Sequence, residues 1–150
     1  MLKNQKQQNR RTIVVSGGFD PIHVGHIRMI QDAAKYGDVI AVANSDDWLM
    51  RKKGYVFMPF KERCEVLESI KGVIRTESVD DTDNTVCEAL SRIQPDMFGN
   101  GGDRMVGNTP EQIRCKELGI DMVFGLGGKK VQSSSDLVEK SGCKTDRFAL

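Results

Sequence analysis

Five short apolar runs constrain this 150-residue chain more than any other feature. They are Thr12-Ile13-Val14-Val15, Val39-Ile40-Ala41-Val42-Ala43, Val73-Ile74, Met97-Phe98 and the stretch from Ile120 to Phe124. Each is short and apolar, the pattern of a buried strand. Helical spacing fills the intervals between them. Ile27, Ile30 and Ala34 share one face of an expected helix over 24–35, with Gly37 placed as its left-handed C-cap. Pro59 is expected at the first position of a helix that carries Phe60, Cys64, Leu67 and Ile70 on one face. Thr85-Val86-Cys87-Glu88 and Thr109-Pro110-Glu111-Gln112 have capping-box spacing, and Pro95 and Gly119 end the helices they open. A last helix begins near Ser134, and a short helical piece is expected over 46–50. Strand and helix alternate throughout. The expected fold is α/β and Rossmann-like, a five-stranded parallel sheet with helices on both faces. Residues 1–11 and 141–150 read as tails around a single domain over 12–140.

Charge then narrows the function. Lys plus Arg number 22 against 21 Asp plus Glu, a net charge of +1. Binders of nucleic acid or anionic membranes rest on a large basic excess, so neither partner is expected. No apolar run approaches the ~18 residues that cross a bilayer, and no apolar segment follows the basic N-terminus as a secretory signal would require. Cys64, Cys87, Cys115 and Cys143 form no CxxC pair and read as reduced thiols. A cytoplasmic location is expected.

In a parallel α/β sheet, ligands gather at the carboxyl ends of the strands. The first such end reads Ser16-Gly17-Gly18-Phe19-Asp20-Pro21-Ile22-His23-Val24-Gly25-His26. Gly17 and Gly18 are expected to let the backbone turn sharply and approach a ligand. The helix that follows offers unpaired N–H groups and a positive dipole end to an anion. His23 and His26, three apart, project from the same side of its first turn, with Gly25 leaving the backbone accessible. The spacing also suits two metal ligands, but no third protein ligand accompanies them. The third glycine of GxGxxG is missing, which disfavours a dinucleotide.

Gly17-Gly18-Phe19-Asp20-Pro21-x-His23-x-Gly25-His26 resembles the G-x-F-D-x-x-H-x-G-H signature of the cytidylyltransferase-like nucleotidyltransferases. The resemblance extends to about residue 140 and is nearest to the enzymes that make ADP-heptose or CDP-glycerol. It implies that His23 and His26 stabilise a triphosphate and the departing pyrophosphate. It also implies that the turn at Gly17, Gly18, Phe19 and Asp20 cradles phosphates, and that Mg²⁺ bridges the phosphate oxygens.

Other strand ends extend the pattern. Asn44-Ser45-Asp46 is similar to the family's N-S-D segment and equally fits an N-cap. Either Lys52 or Lys53 fits the lysine that reaches the phosphates in the resembled enzymes, and Arg63 matches an arginine that follows the same loop, which the resemblance implies is a nucleotide or phosphate contact. Asn100-Gly101-Gly102-Asp103-Arg104 resembles a K-G-G-D-x segment lining the nucleotide pocket, with Asn100 where lysine is usual. Ser133, Ser134 and Ser135 resemble an S-S/T-T run at a helix start that holds the β- and γ-phosphates, preceded here by Gln132 in place of Ile. The R-T-E-G-I-S-T signature of the CDP-glycerol branch is absent, and Gly127-Gly128-Lys129-Lys130 stands in that region. Trp48 and the methionines read as core or pocket wall.

The expected activity is nucleotidyl transfer from CTP or ATP to a phosphorylated sugar or polyol, with release of pyrophosphate. A coenzyme-precursor adenylyltransferase and a module that binds a nucleoside triphosphate (NTP) without turnover are the alternatives. A homodimer through a sheet edge or helix is compatible with a domain of this kind.

Overall fold

The computed structural model describes residues 10–102, 109–129 and 132–142. Five strands run β1 (Thr12–Gly17), β2 (Asp38–Ala43), β3 (Val73–Glu77), β4 (Met97–Gly101) and β5 (Asp121–Leu126). Six helices run α1 (Val24–Ala33), α2 (Asp46–Lys53), α3 (Phe60–Glu68), α4 (Cys87–Ile93), α5 (Pro110–Leu118) and α6 (Ser134–Lys140). The strands form one sheet in the order β3-β2-β1-β4-β5, and every pairing is parallel. The Rossmann-like α/β architecture read from the sequence is the one observed.

Period-two alternation divides the core. Ile13, Val15, Val39 and Ala41 pack with Ile30 and Ala33 of α1 and Leu67 of α3 on one face of the sheet. Val14, Ile40, Val42 and Phe98 pack with Ala89 and Leu90 of α4 and Cys115 of α5 on the other. The central strands β1, β2 and β4 are buried on both faces and leave no polar alternation, which is why their runs read as continuous apolar segments, while the edge strands β3 and β5 stay partly exposed.

Several local expectations change. Gly37 is not a left-handed cap, since α1 ends at Ala34 in the right-handed region. Its missing side chain makes room instead, because a Cβ there would lie 2.4 Å from the Arg11 carbonyl oxygen. That carbonyl accepts from Asp38 N at 2.8 Å, and Arg10 pairs with the Asp38 carboxylate at 2.7 Å. Residues 10 and 11, assigned to the tail by their composition, thus stand against the start of β2. Pro59 is the N-cap of α3, one place before the expected position. The helical piece over 46–50 continues to Lys53 and closes on Gly54 at φ 83°. The Thr85 capping box does not close, for Glu88 accepts from Asp80 N while the Thr85 N–H donates to Asp83 Oδ1 at 2.9 Å.

Candidate functional site

At the carboxyl ends of β1 and β4, where the chain connections diverge, lies a cavity of about 620 Å³. That is the range of small-ligand sites, at the place where such sheets bind them. Gly17, His23, Gly25, His26, Lys52, Lys53, Asn100, Gly102, Ser133, Ser134 and Ser135, all anticipated from sequence, line it together.

The two histidines build their own support. His23 is the N-cap of α1, and its Nδ1 accepts the N–H of Gly25 at 3.0 Å. His26, at the third helical position, accepts the N–H of His23 at Nδ1, 3.2 Å away. This is a capping box made of imidazoles, satisfying two N–H groups that a helix start leaves unpaired. An Nδ1 that accepts a hydrogen bond carries no proton, so each neutral ring is the Nε2–H tautomer. The rings stack with centroids 3.9 Å apart, and the buried Phe19 ring meets His26 edge-on at 5.0 Å. Burial, followed by the charges of His23 and Lys53, pushes the His26 imidazole down from 6.5 to about 3. His26 is therefore neutral, a hydrogen-bond donor that brings no counter-charge of its own. Gly25 is required by contact, since a Cβ would sit 2.9 Å from Cε1 and 3.1 Å from Nδ1 of His23.

Gly18, Phe19, Asp20 and Arg63 do not line the cavity. They form its frame. The left-handed residue of the turn is Phe19, at φ 52°, and neither Gly17 nor Gly18 has positive φ. Gly18 makes room, as its Cβ would meet Leu49 at 3.1 Å. Asp20 is fully buried and its two carboxylate oxygens accept the N–H groups of Phe57 and Met58, both at 2.6 Å. Arg63 is fully buried as well. Its guanidinium donates to the carbonyls of Met58 (2.9 Å), Gly18 (2.8 Å) and Asn44 (2.7 Å) and to the Asp46 carboxylate (2.6 Å). The arginine expected at the phosphates thus fastens together the loops after β1 and β2 and the approach to α3. Asp103 and Arg104 lie outside the described residues.

The serines are also engaged. Ser133 Oγ caps α6 by accepting from Asp136 N at 3.0 Å, Ser134 Oγ donates to the Pro21 carbonyl at 2.8 Å, and Ser135 hydrogen-bonds Tyr55. Across the cavity, Gly102 and Gly128 meet backbone to backbone, and a Cβ on Gly102 would fall 1.7 Å from the Gly128 oxygen.

Residues 14–139 match the cytidylyltransferase-like family. The chain belongs to that family of nucleotidyltransferases. This cytidylyltransferase-like chain is 30% identical over 133 residues to the "Bifunctional protein HldE" of Desulfatibacillum aliphaticivorans, covering 87% of the chain and 25% of the relative. It thus spans a quarter of that relative's length. An "FAD synthase" of Thermococcus kodakarensis is 32% identical over 120 residues, covering 78% of the chain and 79% of the relative. The fold is shared with a solved "lipopolysaccharide core biosynthesis protein" of Thermoplasma volcanium, at TM-score 0.67 and 22% identity, covering 81% of this chain and all of that one.

The family signature accounts for the histidines but not for every wall of the site. Asn84, Glu111 and Lys129 line the same cavity and were not anticipated there. Asn84 follows the acidic run Asp80-Asp81-Thr82-Asp83, and Glu111 stands inside the Thr109 capping-box segment. Only the positive φ of Asn84, 64°, distinguishes it, and that is a structural observation.

Among the described residues, no three His, Cys, Asp or Glu side chains group as a metal site. Asp20, the carboxylate nearest the histidine motif in sequence, has both oxygens on backbone N–H groups. With no carboxylate cluster among the described residues, a Mg²⁺ ion bound with a nucleotide would take its ligands from phosphate oxygens and water. No helix among the described residues is long and apolar enough to cross a membrane.

Proposed function

We propose that this chain transfers a nucleotidyl group from CTP or ATP to a small phosphorylated sugar or polyol. An oxygen of the acceptor phosphate attacks the α-phosphorus of the nucleotide in line. A new P–O bond forms as the bond to the β-bridging oxygen breaks, and pyrophosphate carries that electron pair away. The supporting observation is the imidazole pair, whose Nδ1 atoms are fixed by the backbone so that Nε2–H is the donor of each ring. Two oriented ring donors, with Lys53 near enough for its charge to act on His26, suit the negative charge that builds on a departing pyrophosphate. Lys52 and Lys129 add positive charge at the cavity wall. No covalent intermediate is required, so catalysis rests on positioning and charge stabilisation.

The FAD synthase relative supports a second reading, adenylyl transfer to a phosphorylated coenzyme precursor, since the chain covers 79% of that relative's length. Pyrophosphate release separates the two. The purified protein is given each of ATP, CTP, GTP and UTP with phosphorylated sugars, polyols, FMN and phosphopantetheine. Release that needs one nucleotide and a sugar or polyol phosphate supports the first reading, and release only with a coenzyme precursor supports the second. No release with any pair, while an NTP still binds, overturns both.

A further inference from the structure

Helix α1 carries more than its two histidines. Gly25, Met29 and Asp32 follow at intervals of four and three, so they share one face of that helix. The chain after β5 lies against this face. A Cβ on Gly127 would stand 3.0 Å from Met29 N and 3.2 Å from Met29 Cα, and one on Gly25 would stand 3.9 Å from the Gln132 carbonyl oxygen. Hydrogen bonds pin the crossing segment at both ends. Asp32 Oδ2 accepts the Gly127 N–H at 2.7 Å, and Ser134 Oγ donates to the carbonyl of Pro21, just before α1, at 2.8 Å. Between the two pins, Gly128, Lys129, Gln132 and Ser133 line the cavity.

Gly125-Leu126-Gly127-Gly128 has the composition of a turn that cradles an anion, with left-handed backbone at its three glycines. Two of its amides are already committed. Gly127 N serves Asp32, and Gly128 N donates to the Gly125 carbonyl at 3.2 Å. A carboxylate of the chain itself thus holds the turn, through a charge-assisted bond that is stronger than one between neutral groups. Lys35 braces the same carboxylate, its Nζ donating to Oδ1 at 3.1 Å. The Gly127 N–H first, and Lys35 after it, draw the Asp32 carboxyl below the usual carboxylate range. Asp32 does not line the cavity itself.

We infer that Asp32 is a positioning residue for the bound nucleotide, fixing the turn after β5 on the histidine helix and so setting where Gly128 and Lys129 stand in the cavity. The inference rests on the transfer reading above only for its guest, a nucleoside triphosphate. The imidazoles are fixed at the opposite end of α1 by bonds of their own. Loss of Asp32 therefore weakens nucleotide binding in the ground state and the transition state alike, which raises KM and spares kcat.

Calorimetry with the α,β-methylene analogues of ATP and CTP measures binding without turnover. Asp32→Ala removes the acceptor and puts a strong helix former at a half-exposed helical position, so the fold is kept. Asp32→Asn keeps an oxygen for Gly127 N and removes the charge, while Lys35→Ala removes the brace and leaves the turn bond in place. For the analogue that the wild type binds, Asp32→Ala should lose about tenfold in affinity, the scale of one hydrogen bond. Asp32→Asn should recover most of that loss, and Lys35→Ala should bind as the wild type does. Hydrogen exchange at the Gly127 amide should speed up in Asp32→Ala and stay slow in Asp32→Asn. With the natural NTP and its acceptor, Asp32→Ala should raise KM for the nucleotide about tenfold at nearly unchanged kcat.

Unchanged analogue affinity in Asp32→Ala overturns the inference. So does a loss that Asp32→Asn shares in full, a fall in kcat at unchanged KM, or a wild type that binds neither analogue. Affinity that follows residue 32 in this way, in a protein that releases no pyrophosphate with any acceptor, keeps the positioning role and discards the transfer reading. Acceptor-dependent release whose KM for the nucleotide Asp32→Ala leaves unchanged does the reverse.

Discussion

Each histidine of the pair has one nitrogen committed to the backbone and one to serve the cavity, so the two duties can be separated by substitution. Asn is a good N-cap and Gln is the usual partner at the third helical position. His23→Asn and His26→Gln should therefore leave thermal stability nearly unchanged while taking the imidazole Nε2–H away from its place in the cavity. The expected loss is roughly 10²–10³ in kcat for either, read as pyrophosphate release under saturating substrates. Proton linkage gives an independent check on His26. Its folded value of about 3 lies below the ordinary 6.5, so between those limits the unfolded chain binds a proton that the folded chain refuses. Stability should be complete above pH 6.5 and fall as the pH drops toward 3. A melting series over that range should show the slope, and His26→Gln should flatten it. Gly25→Ala is the complementary case. Alanine is up to about 1 kcal/mol better than glycine inside a helix, but the new Cβ lies 2.9 Å from the His23 ring. A protein that melts no lower yet turns over at least tenfold more slowly is the expected result, from paired melting and rate measurements.

Between elements, the decisive tie is the guanidinium of Arg63. It binds three carbonyls and the Asp46 carboxylate while fully buried, and so holds the loop after β1, the end of β2, the first turn of α2 and the residues before α3. Arg63→Met should cost about 3–5 kcal/mol, the scale of breaking a buried charged network from one side, visible as a fall in the denaturation midpoint. Arg63→Lys should recover little of it, because one ammonium cannot span acceptors arranged around a planar fork. The same residue shows where legibility ended. A motif match assigned Arg63 to phosphate from its position after the loop, and nothing in one sequence separates a charge facing a ligand from a charge facing carbonyls. The central strands were legible because burial on both faces leaves an unbroken apolar run, and the histidines because their spacing belongs to one helical turn. Asn84 and Glu111 were not, since their place on the cavity depends on how β3 and β4 carry their loops to a common wall. Gly37 was misread because a close approach to Arg11, 26 residues earlier in the chain, leaves no local trace.

At the scale of the molecule, the sheet order β3-β2-β1-β4-β5 brings the loops after β1 and β4 around one cavity, and helices on both faces bury the sheet beneath it. A nucleotide that binds only this assembled state stabilises it by mass action. At about a hundred times its Kd the added stability is about 2.7 kcal/mol. The accepted NTP should thus raise the melting temperature by several degrees, and His26→Gln should reduce the rise at the same concentration. Thermal scans with the four NTPs in parallel would report both. The contact between Gly102 and Gly128 carries a last implication. Main chain rests on main chain there, with no side chain between, so the span across that part of the cavity is set by the spacing of the polypeptide itself. A gauge of that kind has no intermediate settings, for even a methyl group at residue 102 would force the two segments apart. Redesign toward a larger or smaller guest would have to be written into the flanking side chains, with this separation kept as a fixed ruler.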